Sequence, residues 1–329
     1  MSTMPTGRTV QASRERDRPA PSDQAPALPR RRRVGGGGAA PYLFVLPFVV
    51  LFVVFMVAPI VIAIVNSTFS SQSSGLGFGG ASTVFVGVQN YLRAFGDRDF
   101  LASFGRVLLY GVVQVPLMMV IAATLALLFD SALVRAKRAF QFAVFLPYAV
   151  PGVIAALLWG FFYQPSVSPL VQGLQSLGID ADLLAPGTIL WSVANVGIWS
   201  YAGINMIILF SALQAVPSEV FEAARLDGAG DLRIALSIKL PMIAPAVLLT
   251  TLSTVIGTLQ LFNEPQVLQS ITPNISSDWT PNMAVYAAST LGRDAHLGSA
   301  MAVILGVVTL AVSLLLVRAT NVREGGNGR

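Results

Sequence analysis

Groups able to do chemistry are scarce in this chain, and their placement limits what it can do. Cysteine is absent and histidine occurs once, at His296, so thiolate chemistry, a disulfide framework and a cysteine metal site are excluded. His296 has no second histidine or carboxylate pair at ligand spacing and reads as a lone surface histidine. What remains is a stripe of small, hydroxyl and carboxylate groups: Thr254, Gly257, Thr258, Leu261 and Glu264 recur three and four residues apart, which places them on one helix face. Such a stripe suits a neutral polyol, since hydroxyls exchange hydrogen bonds, glycine makes room and the nearby Phe262 is placed to stack on a sugar ring. Small and hydroxyl residues are equally what packs helices together in membranes. Glu264 is the one acidic residue inside an apolar segment, where a carboxylate is functional by default, although its place near the segment's end lets water reach it. Asn205, one apolar segment earlier, is a weaker polar candidate. Its neighbours Trp199 and Tyr201 suit a membrane interface, and Tyr148 and Trp159 read as packing or belt residues.

The elements that must position these groups are membrane spans. The chain is 54% hydrophobic and 11% charged, which excludes an ordinary soluble domain. A span needs about 20 apolar residues, and six segments qualify: 42–69, 105–129, 139–163, 187–213, 243–267 and 298–318. Prolines at 47, 59, 116, 147 and 151 are expected as tolerated kinks. Residues 1–40 are rich in Pro, Ser, Gly, Arg and Asp and read as a disordered tail. Within it, Arg30 to Arg33 reads as an anchor on anionic lipid rather than a nucleic-acid patch. The apolar run that follows is too long for a cleaved signal core. Residues 41–320 are expected to form a six-span transmembrane domain and 321–329 a short C-terminal tail.

Arginine and lysine set the orientation. With the N-terminus inside, the cytoplasmic side collects the tail arginines, Arg135, Lys137, Arg138, Arg225, Arg233, Lys239, Arg318, Arg323 and Arg329, and the outside keeps Arg93, Arg98, Arg106 and Arg293. Both termini are then cytoplasmic, as is the polar segment between the fourth and fifth spans.

That segment carries the second group of candidates. Ser218 is expected to cap a two-turn helix with Glu219 and Glu222 near its positive end. Gly228 should end it in a left-handed conformation. Asp231 is expected to cap a second helix with Ile234 and Ile238 on one face, and Pro241 to kink the entry to the next span. Paired small residues, Ala223 and Ala224, let the first helix sit deep in a cleft, and Glu222 offers a fixed charge to a basic partner. The fixed positions Glu222, Ala223, Ala224, Gly228, Ile238, Leu240 and Pro241 resemble the EAA loop, E-A-A-x3-G-x9-I-x-L-P, of the membrane subunits of binding-protein-dependent ABC importers.

The resemblance covers about 41–320. Val86 to Tyr91 is similar to the G-x-x-N-Y element of maltose- and glycerol-phosphate-type permeases, and Ala212 to Pro217 and Gly298 to Ala302 are typical of the same branch. Two departures stand out: Ser270 to Asn274 replaces the usual Gly-Gly-Pro turn, and the first outer loop is too short for the extra domain of the maltose-type subunit. The resemblance implies an all-α, six-span type I ABC importer permease fold in a bacterial or archaeal cytoplasmic membrane. Its implied partners are a second permease, as a heterodimer, two cytoplasmic ATPases and an external solute-binding protein, with a sugar or oligosaccharide as cargo. An importer for another solute class is the alternative. No G-x-x-x-x-G-K-[ST] occurs, so ATP and magnesium belong to the partner ATPases and no cofactor to this chain. An ion-coupled carrier would need titratable groups deep in the membrane, and an enzyme a nucleophile with a base or paired carboxylates; neither set is present.

Overall fold

The computed structural model describes residues 40–74, 79–131, 134–179 and 182–326. The N-terminal tail expected over 1–40, with its four consecutive arginines, lies outside them but for its last residue. Two compact units divide after Val54. The first contains α1 (Ala40–Phe52), whose described side chains are all exposed. Every remaining element belongs to the second unit from Phe55 on, apart from the start of a π-helical stretch at Val53–Val57.

That unit begins with α2 (Ala58–Asn66) and a hairpin of β1 (Phe69–Ser74) and β2 (Gly79–Phe85). The strands are antiparallel, with Phe69 opposite Phe85 and Ser71 opposite Thr83. The hairpin adds a small β element to the otherwise helical fold. Then follow α3 (Gln89–Gly96) and α4 (Arg98–Asp130), started by the Asp97 side chain, which accepts from the amides of Asp99 (3.0 Å) and Phe100 (3.1 Å). After α4 come α5 (Lys137–Phe145), α6 (Gly152–Tyr163), α7 (Pro169–Ser176) and α8 (Ile189–Gln214). The polar connection holds α9 (Ser218–Leu226), α10 (Asp231–Ile234), a π-helical turn and α11 (Leu240–Met242). Last are α12 (Ala244–Leu259), α13 (Asn263–Leu268), α14 (Pro281–Tyr286) and α15 (Ala295–Gly326). The last helix thus continues through most of the segment expected as a C-terminal tail.

Among the described residues, five stretches are long and apolar enough to cross a membrane, and a sixth is counted if α5 and α6 are taken as one bent span. The kinks expected at Pro147 and Pro151 within the third span, 139–163, are found as a break. The two halves meet at 98° across Val150 and Pro151. Proline forces the residue before it out of the helical region, and Val150 is extended (φ −80°, ψ 125°). Each half is too short to cross alone.

The fifth span is broken as well. Helix α12 stops at Leu259 and α13 starts at Asn263, with Phe262 non-helical at φ −144°, ψ −56°. Pro265 explains the break, because proline has no amide to give to the carbonyl four residues earlier and its ring collides with it. That carbonyl is Leu261's, and it accepts instead from the Thr280 hydroxyl (2.8 Å). Asn282 Nδ2 donates to the neighbouring Gln260 carbonyl (3.1 Å).

Packing centres on α4 against α8. Near the Asp130 end of α4, Val115, Met119, Ala122 and Phe129 interlock with Met206, Leu209 and Leu213 of α8 and with Ile243. Near the other end, Tyr110, Val193, Leu261, Leu268, Trp279 and Met283 form a second buried cluster. Gly203 sets the approach of α8 to the end of α5: a Cβ there would lie 2.1 Å from the Val144 carbonyl oxygen.

Candidate functional site: a central cavity and a polar connecting loop

The groups singled out from the sequence fall into two places. The first is a cavity of about 370 Å³ between α4, α8, α12 and the broken turn beyond it. Thr254, Gly257, Thr258, Leu261, Glu264 and Asn205 all line it. They do not do so as one helix stripe, however. Because α12 ends at Leu259, Leu261 and Glu264 reach the cavity through the turn and α13. Glu264 is 5% exposed and is largely enclosed by protein where it faces the cavity.

Hydrogen bonds tie the lining across helices. Asn205 Nδ2 donates to Thr254 Oγ1 (3.2 Å), and Thr258 Oγ1 donates to Gln114 Oε1 (3.1 Å). Tyr148, at the α5–α6 break, meets Tyr201 edge to face with ring centroids 6.1 Å apart, and both line the cavity. Those two tyrosines, expected as belt or packing residues, are corrected to wall residues. Trp199 instead packs edge to face with Trp159, 5.9 Å between centroids.

Tyr110 and Gln114 of α4 line the cavity too and were not anticipated. A signal existed: a tyrosine and an amide four apart share one helix face in an otherwise apolar run. Close approach of α8 makes their placement possible, since a Cβ on Gly197 would stand 2.8 Å from the Tyr110 hydroxyl. Beside apolar Met118, Ile204, Ile208 and Leu261, the wall presents hydroxyls, amides, aromatic faces and a single carboxylate, with no Lys, Arg or His among the lining residues. It can hold a polyhydroxylated molecule by hydrogen bonding and stacking. It offers no nucleophile paired with a base.

The second place is the polar connection. Pro217 occupies the cap position of α9, and Ser218 is the first helical residue with no side-chain cap, which corrects the expected capping role. Glu219 and Glu222 are exposed, and Ala224 is half-buried beside an exposed Ala223. Gly228 ends the helix at φ +81°, with its amide on the Arg225 carbonyl (3.0 Å) and that of Ala229 on Ala224 (3.0 Å). Gly230, not Asp231, takes the cap position of α10. Asp231 instead pairs with Arg225 at 3.4 Å on the surface. Pro241 is accommodated inside α11, and the chain turns two residues later at Ile243 (φ −95°, ψ 11°). Ile238 and Leu240 are half-buried.

Beneath α9 lies a polar knot. Lys239 Nζ pairs with one carboxylate oxygen of Asp130 while Gln214 Nε2 donates to the other (2.7 Å). The same ammonium sits 4.8 Å from the centre of the Phe221 ring.

At the opposite end of α4 another polar group joins the hairpin to α15. Asn90 Nδ2 donates to the carbonyls of Ser67 (2.9 Å) and Phe69 (2.7 Å), and Tyr91 shares a 2.6 Å hydrogen bond with Ser67. Gly87 turns this element at φ +59°. Arg93 pairs with Asp294 at 2.9 Å. Burial opposes ionisation of Asp294, but the Leu297 amide and the Arg93 guanidinium together hold its carboxyl below the usual range. His296 is tied into the fold rather than free on the surface, its ring nitrogens meeting the Asn66 carbonyl (2.9 Å) and Ser71 Oγ (3.2 Å).

The family model described as binding-protein-dependent transport system inner membrane component matches residues 118–323. A Bacillus subtilis (strain 168) protein described as probable ABC transporter permease protein YurN is 31% identical over 280 residues, 84% of this chain and 94% of the relative. The sn-glycerol-3-phosphate transport system permease protein UgpA of Yersinia pestis is 27% identical over 281 residues, 84% and 92% of the two chains. Among solved structures, a chain of a bacterial ABC transporter involved in the import of the acidic polysaccharide alginate superposes with a TM-score of 0.72 at 21% identity, covering 86% of this chain and 95% of that one.

Proposed function

Because this chain belongs to the family of binding-protein-dependent transport system inner membrane components and is the permease of an ABC importer, a transport component rather than an enzyme, we propose that its cargo is a neutral sugar or oligosaccharide. The central cavity is the place on this chain where that cargo passes. One observation carries the reading: beside an apolar part, the wall offers hydroxyls, amides and tyrosine faces, and its only acidic or basic side chain is Glu264. The UgpA relatives are described as sn-glycerol-3-phosphate permeases and the structural neighbour belongs to an importer of an acidic polysaccharide. A wall without cations does not favour anions of that kind, because an unpaired charge in a desolvated site is costly. Glu264 favours one second reading, a solute that carries an amine.

The remaining parts are assigned on the same footing. Helix α9 stands on the cytoplasmic side of a cell membrane and seats in an ATPase subunit, with Glu222 facing a basic group there. ATP and magnesium are held by two such ATPases. A second permease, different in sequence, completes the pathway, and an external binding protein delivers the cargo. Closure of the ATPases moves the α9 helices and turns the cavity outward.

The test is to purify the complex with its binding protein and measure the thermal shift of that protein with neutral di- and oligosaccharides, sugar phosphates, uronates and amine-bearing solutes. A shift with neutral sugars is expected. A shift with sugar phosphates or uronates alone overturns the neutral-cargo reading, and a shift with amines alone selects the second.

A further inference from the structure

Helix α9 has no buried residue, and Leu226 at its end is 90% exposed. A helix held so loosely by its own packing cannot pass a push to the bundle unless something fastens it. We propose that Lys239 is that fastening, a positioning residue that locks α9 to α4 through Asp130 and Phe221. The inference rests on the reading of α9 as the ATPase-facing element, and names the link by which its movement reaches the cavity.

The geometry joins three elements at one ammonium. Lys239 lies in the turn leading into α12, its partner Asp130 is the last residue of α4, and Phe221 is on α9. The Lys239 and Asp130 side chains are only 14% and 12% exposed, so water does not replace the contact cheaply. Gln214, the last residue of α8, holds the second carboxylate oxygen and fixes its direction. An aromatic face 4.8 Å from a desolvated ammonium adds attraction and leaves the cation one place to sit.

From Asp130 the path continues along α4, which stays one continuous helix through Pro116. Gln114 is 16 positions up α4, roughly 24 Å at the helical rise. Its side chain accepts from Thr258 in the cavity wall. Displacement of α9 therefore arrives at the cavity as displacement of Gln114 and Tyr110, provided Lys239 holds. Spatial continuity alone does not establish such coupling, so the test measures both position and coupling.

The experiment uses the complex purified with its ATPases and binding protein. The chain has no cysteine of its own. Spin labels at Glu219→Cys on α9 and Leu128→Cys on α4 then report the distance between the two helices. With the original Lys239 the distance distribution should be narrow and the same with and without ATP and magnesium. In Lys239→Met and Asp130→Asn it should broaden or shift by more than about 3 Å, and stimulation of ATP hydrolysis by the binding protein should fall at least threefold. The exchanged pair Asp130→Lys with Lys239→Asp should recover more than half of both. Phe221→Leu, which removes the ring and no charge, should broaden the distance by itself, so the test survives if a charge variant fails to reach the membrane.

A narrow distance and full stimulation in Lys239→Met, Asp130→Asn and Phe221→Leu would overturn the proposal. So would an exchanged pair no better than the worse single variant. Failure of the importer reading looks different: ATPase retention and stimulation would be absent in the unaltered complex, while the distances would still decide the fastening.

Discussion

The hydroxyl of Thr280 donates 2.8 Å to the carbonyl of Leu261, taking the place of an amide that Pro265 does not have. This exchange fixes the break between α12 and α13, and with it the direction from which Leu261 and Glu264 enter the cavity. The same hydroxyl also accepts from the Met283 amide at 3.1 Å, so one buried side chain holds both the break and the start of α14.

Thr280→Val should therefore cost about 1–3 kcal/mol for each buried backbone group left without its partner. The expected result is a loss of thermal stability of several degrees in detergent, with Thr280→Ser near the original value. Equal melting of Val and Ser variants would show that the hydroxyl does not hold the break.

Gly203 admits nothing larger than hydrogen, because a Cβ would meet backbone, the Val144 carbonyl at 2.1 Å, and backbone cannot swing aside as a side chain does. Gly203→Ala should separate α8 from α5 and destabilise the bundle by about 1–3 kcal/mol or more. Gly105→Ala, where a Cβ would meet nothing within 4 Å beyond the adjoining backbone of its own helix, is the control and should melt like the unaltered chain.

At α9 the two changes act by different routes. Glu222→Lys reverses an exposed charge and should lower ATPase copurification and uptake, since a shielded charge-assisted contact contributes roughly 1.5–3 kcal/mol. Gly228→Val should do the same through backbone, because φ +81° is hostile to a β-branched residue although the space around it is open. Gly228→Asn should be milder, as asparagine tolerates that region. If Glu222→Lys and Gly228→Val both retain ATPase and transport normally at equal membrane levels, the loop is not the coupling element.

In the cavity, Thr254→Leu and Thr258→Leu each put bulk where the wall is polar and remove a hydrogen bond, to Asn205 (3.2 Å) or to Gln114 (3.1 Å). Uptake should fall tenfold or more, about 1.4 kcal/mol in the barrier, with membrane levels maintained. Ile256→Leu, at a half-exposed position that does not line the cavity, should leave uptake intact. A similar loss in all three would assign the hydroxyls to packing.

Asp294 gives a pH dependence with a definite sign. Its carboxyl is held below the ordinary carboxylate range in the folded chain, so its contribution to stability is fully present above the unfolded value of about 3.9 and is lost as pH falls through the lower, folded value. Arg93→Gln removes one of the groups that hold it down. The variant should melt below the unaltered chain at pH 7 and converge with it once the pH has fallen below the lowered, folded value. A gap that persists at acid pH would mean Arg93 acts through packing. The pair is part-exposed, so the gap at pH 7 should be small.

Sequence alone determined the class of the protein. Apolar runs of membrane length, a basic bias on one side and the spacing from Glu222 to Pro241 need only local composition and helical periodicity to be read. Gly228 was legible for the same reason, since a helix end followed by a glycine cluster calls for a positive φ. Five of the six cavity candidates were found by their three- and four-residue spacing and Asn205 by its polarity in an apolar context, but the geometry that unites them was not. Pro151 and Pro265 could have been read as kinks or as breaks, and only the groups available to take over a freed carbonyl, such as Thr280 on Leu261, decide between the two. The same holds for Asp130 and Lys239, 109 residues apart, and for Tyr110 and Gln114, which face the cavity because Gly197 lets α8 come close. Contacts between distant segments depend on how helices pack, and no local pattern carries that information.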